Sequence, residues 1–277
     1  MGVCGQVATS YPCEIPTNQS FKAWPIFFIA TCVIATRLLD LIKDMSMKRL
    51  THLAAELSTL VRSFLVDQPL EAFFPISLER NAQGPQDTAV VLIPGYLERP
   101  GAFFKLKQEL KEAGFAVFLY RPEQFFSSVG YHTNKVCELV SEIKNTHGFK
   151  RIALIGHSMG GVIARHAAQS ELKADDSLVA IATIASPNHG TIMSHLGIGQ
   201  CVNELVPESD FLIALNSQYG ELSHKTVCFQ ADFDLLVPTQ SAQVKGATNI
   251  VVPNTGHMTI LDCSAVSQTM ARFIGAC

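Results

Sequence analysis

Charge is scarce in this chain of 277 residues. Asp, Glu, Lys and Arg make up 16% of it, and 21 Lys+Arg against 24 Asp+Glu leave a net charge of −3. No basic excess is available to displace counterions from phosphates, so nucleic-acid binding is disfavoured. Paired cysteines are missing too. The eight cysteines, at positions 4, 13, 32, 137, 201, 228, 263 and 277, include no C-x-x-C. Paired zinc-ligand spacing is therefore absent, and the density falls well below that of a disulfide scaffold. The thiols read mostly as buried and reduced. Repeats and low-complexity tracts are also absent. What is abundant is apolar: hydrophobic residues are 48% of the chain and the mean hydropathy is +0.22. Such a chain is too apolar to be disordered, and at this length it can bury a large core without staples.

Three stretches follow one another. Residues 1–45 open as a polar, turn-rich tail and then run without charge from Ala23 to Thr36. Fourteen residues are fewer than the roughly 17–25 of a spanning helix, although Leu38, Leu39, Leu41 and Ile42 extend the run past Arg37 and Asp40. No A-x-A cleavage site follows it, and Gln6 spoils a myristoylation signal. The run is read as a hydrophobic anchor, with a signal segment or a buried core helix as the alternatives, and the protein is expected to be membrane-associated. Residues 46–84 form an amphipathic helical segment: Leu50, Leu53, Ala54, Leu57, Leu60, Val61, Phe64 and Leu65 recur at three-and-four spacing. The segment either packs on the following domain or lies on a bilayer. Ser77 to Asp87, with Gly84-Pro85, reads as a linker. A chain beginning near Leu70 is expected to keep activity on small esters.

From residue 85 to 277 the pattern alternates. Apolar β-branched runs at Ala89–Ile93, Phe115–Tyr120, Arg151–Ile155, Leu178–Ala185, Thr226–Gln230 and Asn249–Val252 predict strands. Helical patterns at about 101–114, 132–147, 160–172 and 261–275 separate them. Nearly continuous apolar strands alternating with helices predict an α/β fold with a mainly parallel sheet of about six strands, covered on both faces. Reactive groups of such sheets gather at the carboxyl ends of the strands.

One motif sits at such an end. Gly156-His157-Ser158-Met159-Gly160 matches G-x-S-x-G between a predicted strand and a predicted helix. The elbow glycines Gly156 and Gly160 let strand and helix approach, and the helix N-terminus favours negative charge developing near Ser158. A serine hydroxyl needs a base and an orienting acid. Two loops past later strands supply candidates: Asp232-Phe-Asp234-Leu-Leu-Val-Pro and Asn254-Thr-Gly-His257-Met. Asp234, one step further past the strand, is chosen over Asp232. The order Ser…Asp…His suits this fold. His157 lies inside the elbow, where it cannot face the hydroxyl, and His189 and His195 are read as pocket or structural residues. For an oxyanion hole, Met159 follows the nucleophile, and Tyr96 stands in the Ile93-Pro94-Gly95-Tyr96 loop after the first strand.

Residues 88–275 resemble the α/β-hydrolase superfamily, and within it the bacterial lipases and esterases, including the small Bacillus type. The motifs VVLIPGY, GHSMGG, ASPNHGT, ELVPESDFLIALN, DLLVP and NTGHMTIL carry the resemblance. It implies Ser158, Asp234 and His257 as triad, Tyr96 and Met159 as oxyanion donors, and a short helical cap at about 190–225. Pro94 departs from the pattern, because many lipases carry histidine before that glycine. Relatives with structural calcium hold it near the acid and histidine loops. No spaced ligand set stands there, so neither metal nor cofactor is assigned. The expected function is a lipase or carboxylesterase acting on lipid or other acyl esters. The alternatives are a phospholipase, thioesterase or acyltransferase on the same triad, or a non-catalytic binding module.

Overall fold

Thr-Ala-Val-Val-Leu-Ile, the first strand (β1, Thr88–Ile93), is buried at every position, as a strand covered on both faces must be. The structure is a computed structural model, and it describes residues 50, 51, 54–56, 58 and 59, residues 87–98, and residues 100–277. The expected anchor in 1–45, most of the amphipathic stretch and the linker lie outside the described residues. Ser46–Cys277 forms one compact unit. Among the described residues, no helix is long and apolar enough to cross a membrane.

Five further strands follow: β2 (Ala116–Leu119), β3 (Arg151–His157), β4 (Leu178–Ile184), β5 (Thr226–Ala231) and β6 (Thr248–Val252). They align in the order β2-β1-β3-β4-β5-β6, and every neighbouring pair is parallel. All six lie where the apolar runs predict them. Between and after them come α1 (Phe104–Glu112), α2 (Val129–His147), α3 (Met159–Gln169), α4 (Gln200–Glu204), α5 (Asp210–Ser217) and α6 (Ser264–Ala276). Helix α2 starts earlier than its apolar pattern because Ser128 Oγ accepts a hydrogen bond from Tyr131 N at 3.0 Å. It stops at Gly148, whose φ of +71° suits glycine.

Alternation along each strand builds two cores. Val91, Ile93, Leu154 and Ile181 face Val140, Ile143, Val162 and Ile163 of α2 and α3. Val90, Leu92, Ile155 and Phe229 face Leu106 and Leu110 of α1 and Val266, Met270 and Ile274 of α6. Each buried Leu, Ile or Phe contributes about 1.5–3 kcal/mol, so these layers hold the strand ends at fixed spacing.

Residues 190–225 form short helical pieces rather than one element. These are 3-10 turns at Ile192–Leu196 and Tyr219–Lys225, with α4 and α5 between them. The cap's apolar residues divide in two. Val202, Leu205, Leu212 and Leu215 are buried in the core, whereas Ile192, Leu196, Ile198 and Ile213 are exposed.

Candidate active site

Strand β3 runs straight into the motif. Ser158 adopts φ +52° and ψ −127° and is the residue from which α3 starts. A non-glycine residue held there stores strain, which the surrounding packing must overcome. The flanking glycines make the turn possible. A Cβ on Gly156 would stand 2.1 Å from the Gly160 carbonyl carbon, and one on Gly160 would stand 2.0 Å from the Ile93 oxygen. Strand and helix backbones thus cross beside Ser158 too closely to admit a side chain at either glycine.

The expected acid and base meet across two loops. His257 Nδ1 lies 2.8 Å from Asp234 Oδ2, and both side chains are buried. Asp234 Oδ1 accepts hydrogen bonds from Leu236 N and Val237 N, both at 2.8 Å. Those bonds aim its second oxygen at the imidazole. Asp232 does something else: its carboxylate accepts from Asn254 N at 2.9 Å and Thr255 N at 3.1 Å. It fastens the approach to His257 without touching the ring.

Gly95 brings the loop after β1 against Ser158. A Cβ there would come within 2.8 Å of Ser158 Cβ. Tyr96 follows at once, and Met159, as the first residue of α3, has an N–H with no intrahelical acceptor. Of the two expected donors, Met159 thus follows Ser158 directly in the chain, and Tyr96 follows the glycine packed against it. The Tyr96 side chain has a separate task, invisible in the sequence. Its hydroxyl donates to Ile198 O at 2.8 Å and accepts from Ile198 N at 3.0 Å, which pins the cap.

Behind the site stands a buried pair that sequence reasoning missed. His157 Nδ1 lies 2.9 Å from Glu98 Oε2, and its Nε2 lies 2.8 Å from the His257 carbonyl oxygen. The same Glu98 oxygen accepts from Gly95 N at 2.6 Å. A carbonyl and a carboxylate only accept, so both ring nitrogens donate and the ring is an imidazolium. Burial by itself lowers the His157 pKa, but Glu98 and the His257 carbonyl outweigh it and the value is raised. The pair joins the loop after β1, the elbow and the loop that carries His257. Glu98→Gln is expected to cost about 3–5 kcal/mol, because it leaves a buried cation unpaired. A folded pKa above the unfolded one means that the contribution is full below about pH 6.5 and fades as pH rises through the folded value. The Tm gap between wild type and variant should therefore be widest near pH 6 and narrow as the pH rises. A gap independent of pH would contradict the imidazolium.

The ASPNHGT motif has a structural part to play. Asn188 accepts from the buried Arg165 Nη1 at 3.0 Å and donates to Ala242 O at 2.8 Å, tying α3 to the loop after β5. His189 is held near Asn216, and His195 is exposed. Among the described residues, no group of three or more His, Cys, Asp or Glu could hold a metal ion. Burial raises the pKa values of Cys137 and Cys201, to about 12 and about 11, so both thiols stay protonated.

Residues 88–208 match the alpha/beta hydrolase fold family. The lipase BlEst2 of Bacillus licheniformis in its mature form superposes with a TM-score of 0.61 at 14% identity, over 69% of this chain and 93% of that one. The phospholipase PlaB of Legionella pneumophila gives 0.57 at 17%, over 68% of this chain and 58% of PlaB. Lipase B of Aspergillus fumigatus gives 0.54 at 18%, over 66% of this chain and 47% of that one. Curated protein sequences provide no match. With its parallel sheet order, its serine in a strand–turn–helix elbow and its family match over residues 88–208, this chain has the α/β-hydrolase fold.

Proposed function

We propose that the chain is a serine ester hydrolase of the lipase or carboxylesterase type. One observation carries the proposal: Asp234 Oδ2 stands 2.8 Å from His257 Nδ1 on loops that follow β5 and β6, on the same sheet edge as the strained Ser158. With Nδ1–H donated to Asp234, Nε2 of His257 is the basic nitrogen. It takes the Ser158 proton as Oγ attacks the ester carbonyl, and Tyr96 N and Met159 N stabilise the oxyanion. The alkoxide leaves with the proton from His257. Water, deprotonated by the same nitrogen, then releases the acid from the acyl-enzyme and restores Ser158.

The rim favours apolar acyl groups. Leu97 beside Tyr96, Leu235 and Leu236 beside Asp234, and Ile192, Leu196 and Ile198 in the cap are all exposed. An apolar rim next to the reacting groups marks a lipid-facing surface. A phospholipase reading draws on the likeness to PlaB and uses the same triad. Attachment to a membrane through residues 1–45 belongs to this proposal too, and a salt-washed membrane fraction should retain the full chain.

Graded p-nitrophenyl esters test the reaction itself. Turnover is expected to rise from acetate toward medium or long acyl chains. A folded chain that turns over none of them would favour the non-catalytic binding module.

A further inference from the structure

Residues 50, 51, 54–56, 58 and 59 are helical, and Glu56 among them is buried. It lies 202 residues before Met258, yet its Oε2 accepts a hydrogen bond from Met258 N at 2.7 Å. Its Oε1 accepts from Thr259 N at 3.0 Å and from Thr259 Oγ1 at 2.6 Å. Thr259 Oγ1 accepts in turn from Gly256 N at 2.8 Å. One carboxylate thus holds the backbone just after His257 directly, and the backbone just before it only through the Thr259 hydroxyl. Gly256 is the residue that admits it, since a Cβ there would stand 2.4 Å from Glu56 Oε1. The 3-10 turn Thr259–Asp262 has no side-chain cap from its own N-cap residue, Met258. Glu56 supplies from a distance what the local sequence does not.

The rest of the loop is fastened by other groups. Asp232 holds Asn254 N and Thr255 N upstream, and His157 holds the His257 carbonyl. The downstream side depends on Glu56. The geometry points to Glu56 as a positioning residue for ester hydrolysis, one that acts through His257 and not on the substrate. This inference rests on the triad reading of Ser158, Asp234 and His257. It places part of the active-site scaffold before residue 70. A chain beginning near Leu70 lacks this carboxylate, against the expectation that such a chain keeps its activity.

The mechanism of loss is geometric. Gln at position 56 turns one acceptor into a donor that faces N–H groups, so the loop relaxes and Nε2 of His257 leaves its line to Ser158. Misplacement of about 1 Å costs about a hundredfold in rate. In the full-length protein, Glu56→Gln is expected to lower kcat on p-nitrophenyl butyrate by about 10- to 100-fold, with KM within about twofold. Circular dichroism and Tm set the folded fraction used for normalisation. Glu56→Asp, which keeps the charge, should recover part of the loss. Thr259→Val, which removes only the hydroxyl, should lower kcat in the same direction, and it carries the test if the Gln variant does not fold.

A second background separates positioning from plain stability. With His257→Ala already present, adding Glu56→Gln should change the residual rate by less than about twofold, because groups acting through one residue are not additive. An equal proportional loss in both backgrounds, or a wild-type kcat in folded Glu56→Gln, would overturn the inference. An active His257→Ala protein would instead overturn the triad reading on which it rests.

Discussion

Ser158→Ala is expected to lower kcat by about four to six powers of ten and to leave the fold intact, because members of a triad act as a unit. The structure explains why stability should survive. Ser158 starts α3 but makes no side-chain capping hydrogen bond, so alanine removes no cap. Both residues carry a Cβ and suffer the same backbone strain at φ +52°. The change in stability should therefore stay within about 0.5 kcal/mol, the range of substitutions that disturb no special feature. A fluorophosphonate probe should label the wild type and not the variant. Labelling that persists at another serine would remove Ser158 from the mechanism.

The second large effect separates two aspartates that stand two residues apart. Asp234→Asn should cost about ten-thousandfold in kcat, as loss of the orienting carboxylate does in such triads. The amide can still accept from Leu236 N and Val237 N through its oxygen, but it then turns an N–H donor toward His257 Nδ1. The imidazole answers by moving its proton to Nε2, and it can no longer take one from Ser158. Asp232→Asn weakens one of two hydrogen bonds to the Asn254–Thr255 backbone and leaves the ring alone. Its cost should be about tenfold, through loop placement. A ratio of at least a hundred between the two losses in kcat is the expected result. Equal losses, or the reverse order, would show that the acid loop has been misread.

Strand positions were legible because strands of a parallel sheet covered on both faces demand continuous apolar runs, as β1, β3, β4 and β5 show; the last strand in the sheet order, β6, is mostly exposed, against the expectation of cover on both faces, and only its β-branched residues marked it. The elbow was legible because its backbone crossing excludes side chains at Gly156 and Gly160, which leaves a signature within five residues. Asp234 and His257 could be ranked by chain order and by their place just past a strand. Element ends were less clear. The pattern predicted one helix over 101–114, but the chain makes a 3-10 turn at Pro100–Phe103 before α1. One helix was expected over 261–275 as well, and Cys263 instead separates a 3-10 turn from α6.

The cap was legible only in outline. Three-and-four spacing cannot say whether Leu212 or Ile213 turns inward, and the structure buries the first and exposes the second.

By itself, then, the sequence determined the sheet, the nucleophile turn and the candidates for acid and base, since each is encoded by neighbours in the chain. Tertiary structure alone decided which distant polar atoms meet. Glu98 reaches His157 across 59 positions, the Tyr96 hydroxyl reaches Ile198 across 102, and Glu56 reaches Met258 across 202. Hydrophobic periodicity reports which face of an element leaves water. It does not report which carboxylate satisfies which buried N–H, because those partners are chosen only after packing has brought separate loops to one edge of the sheet.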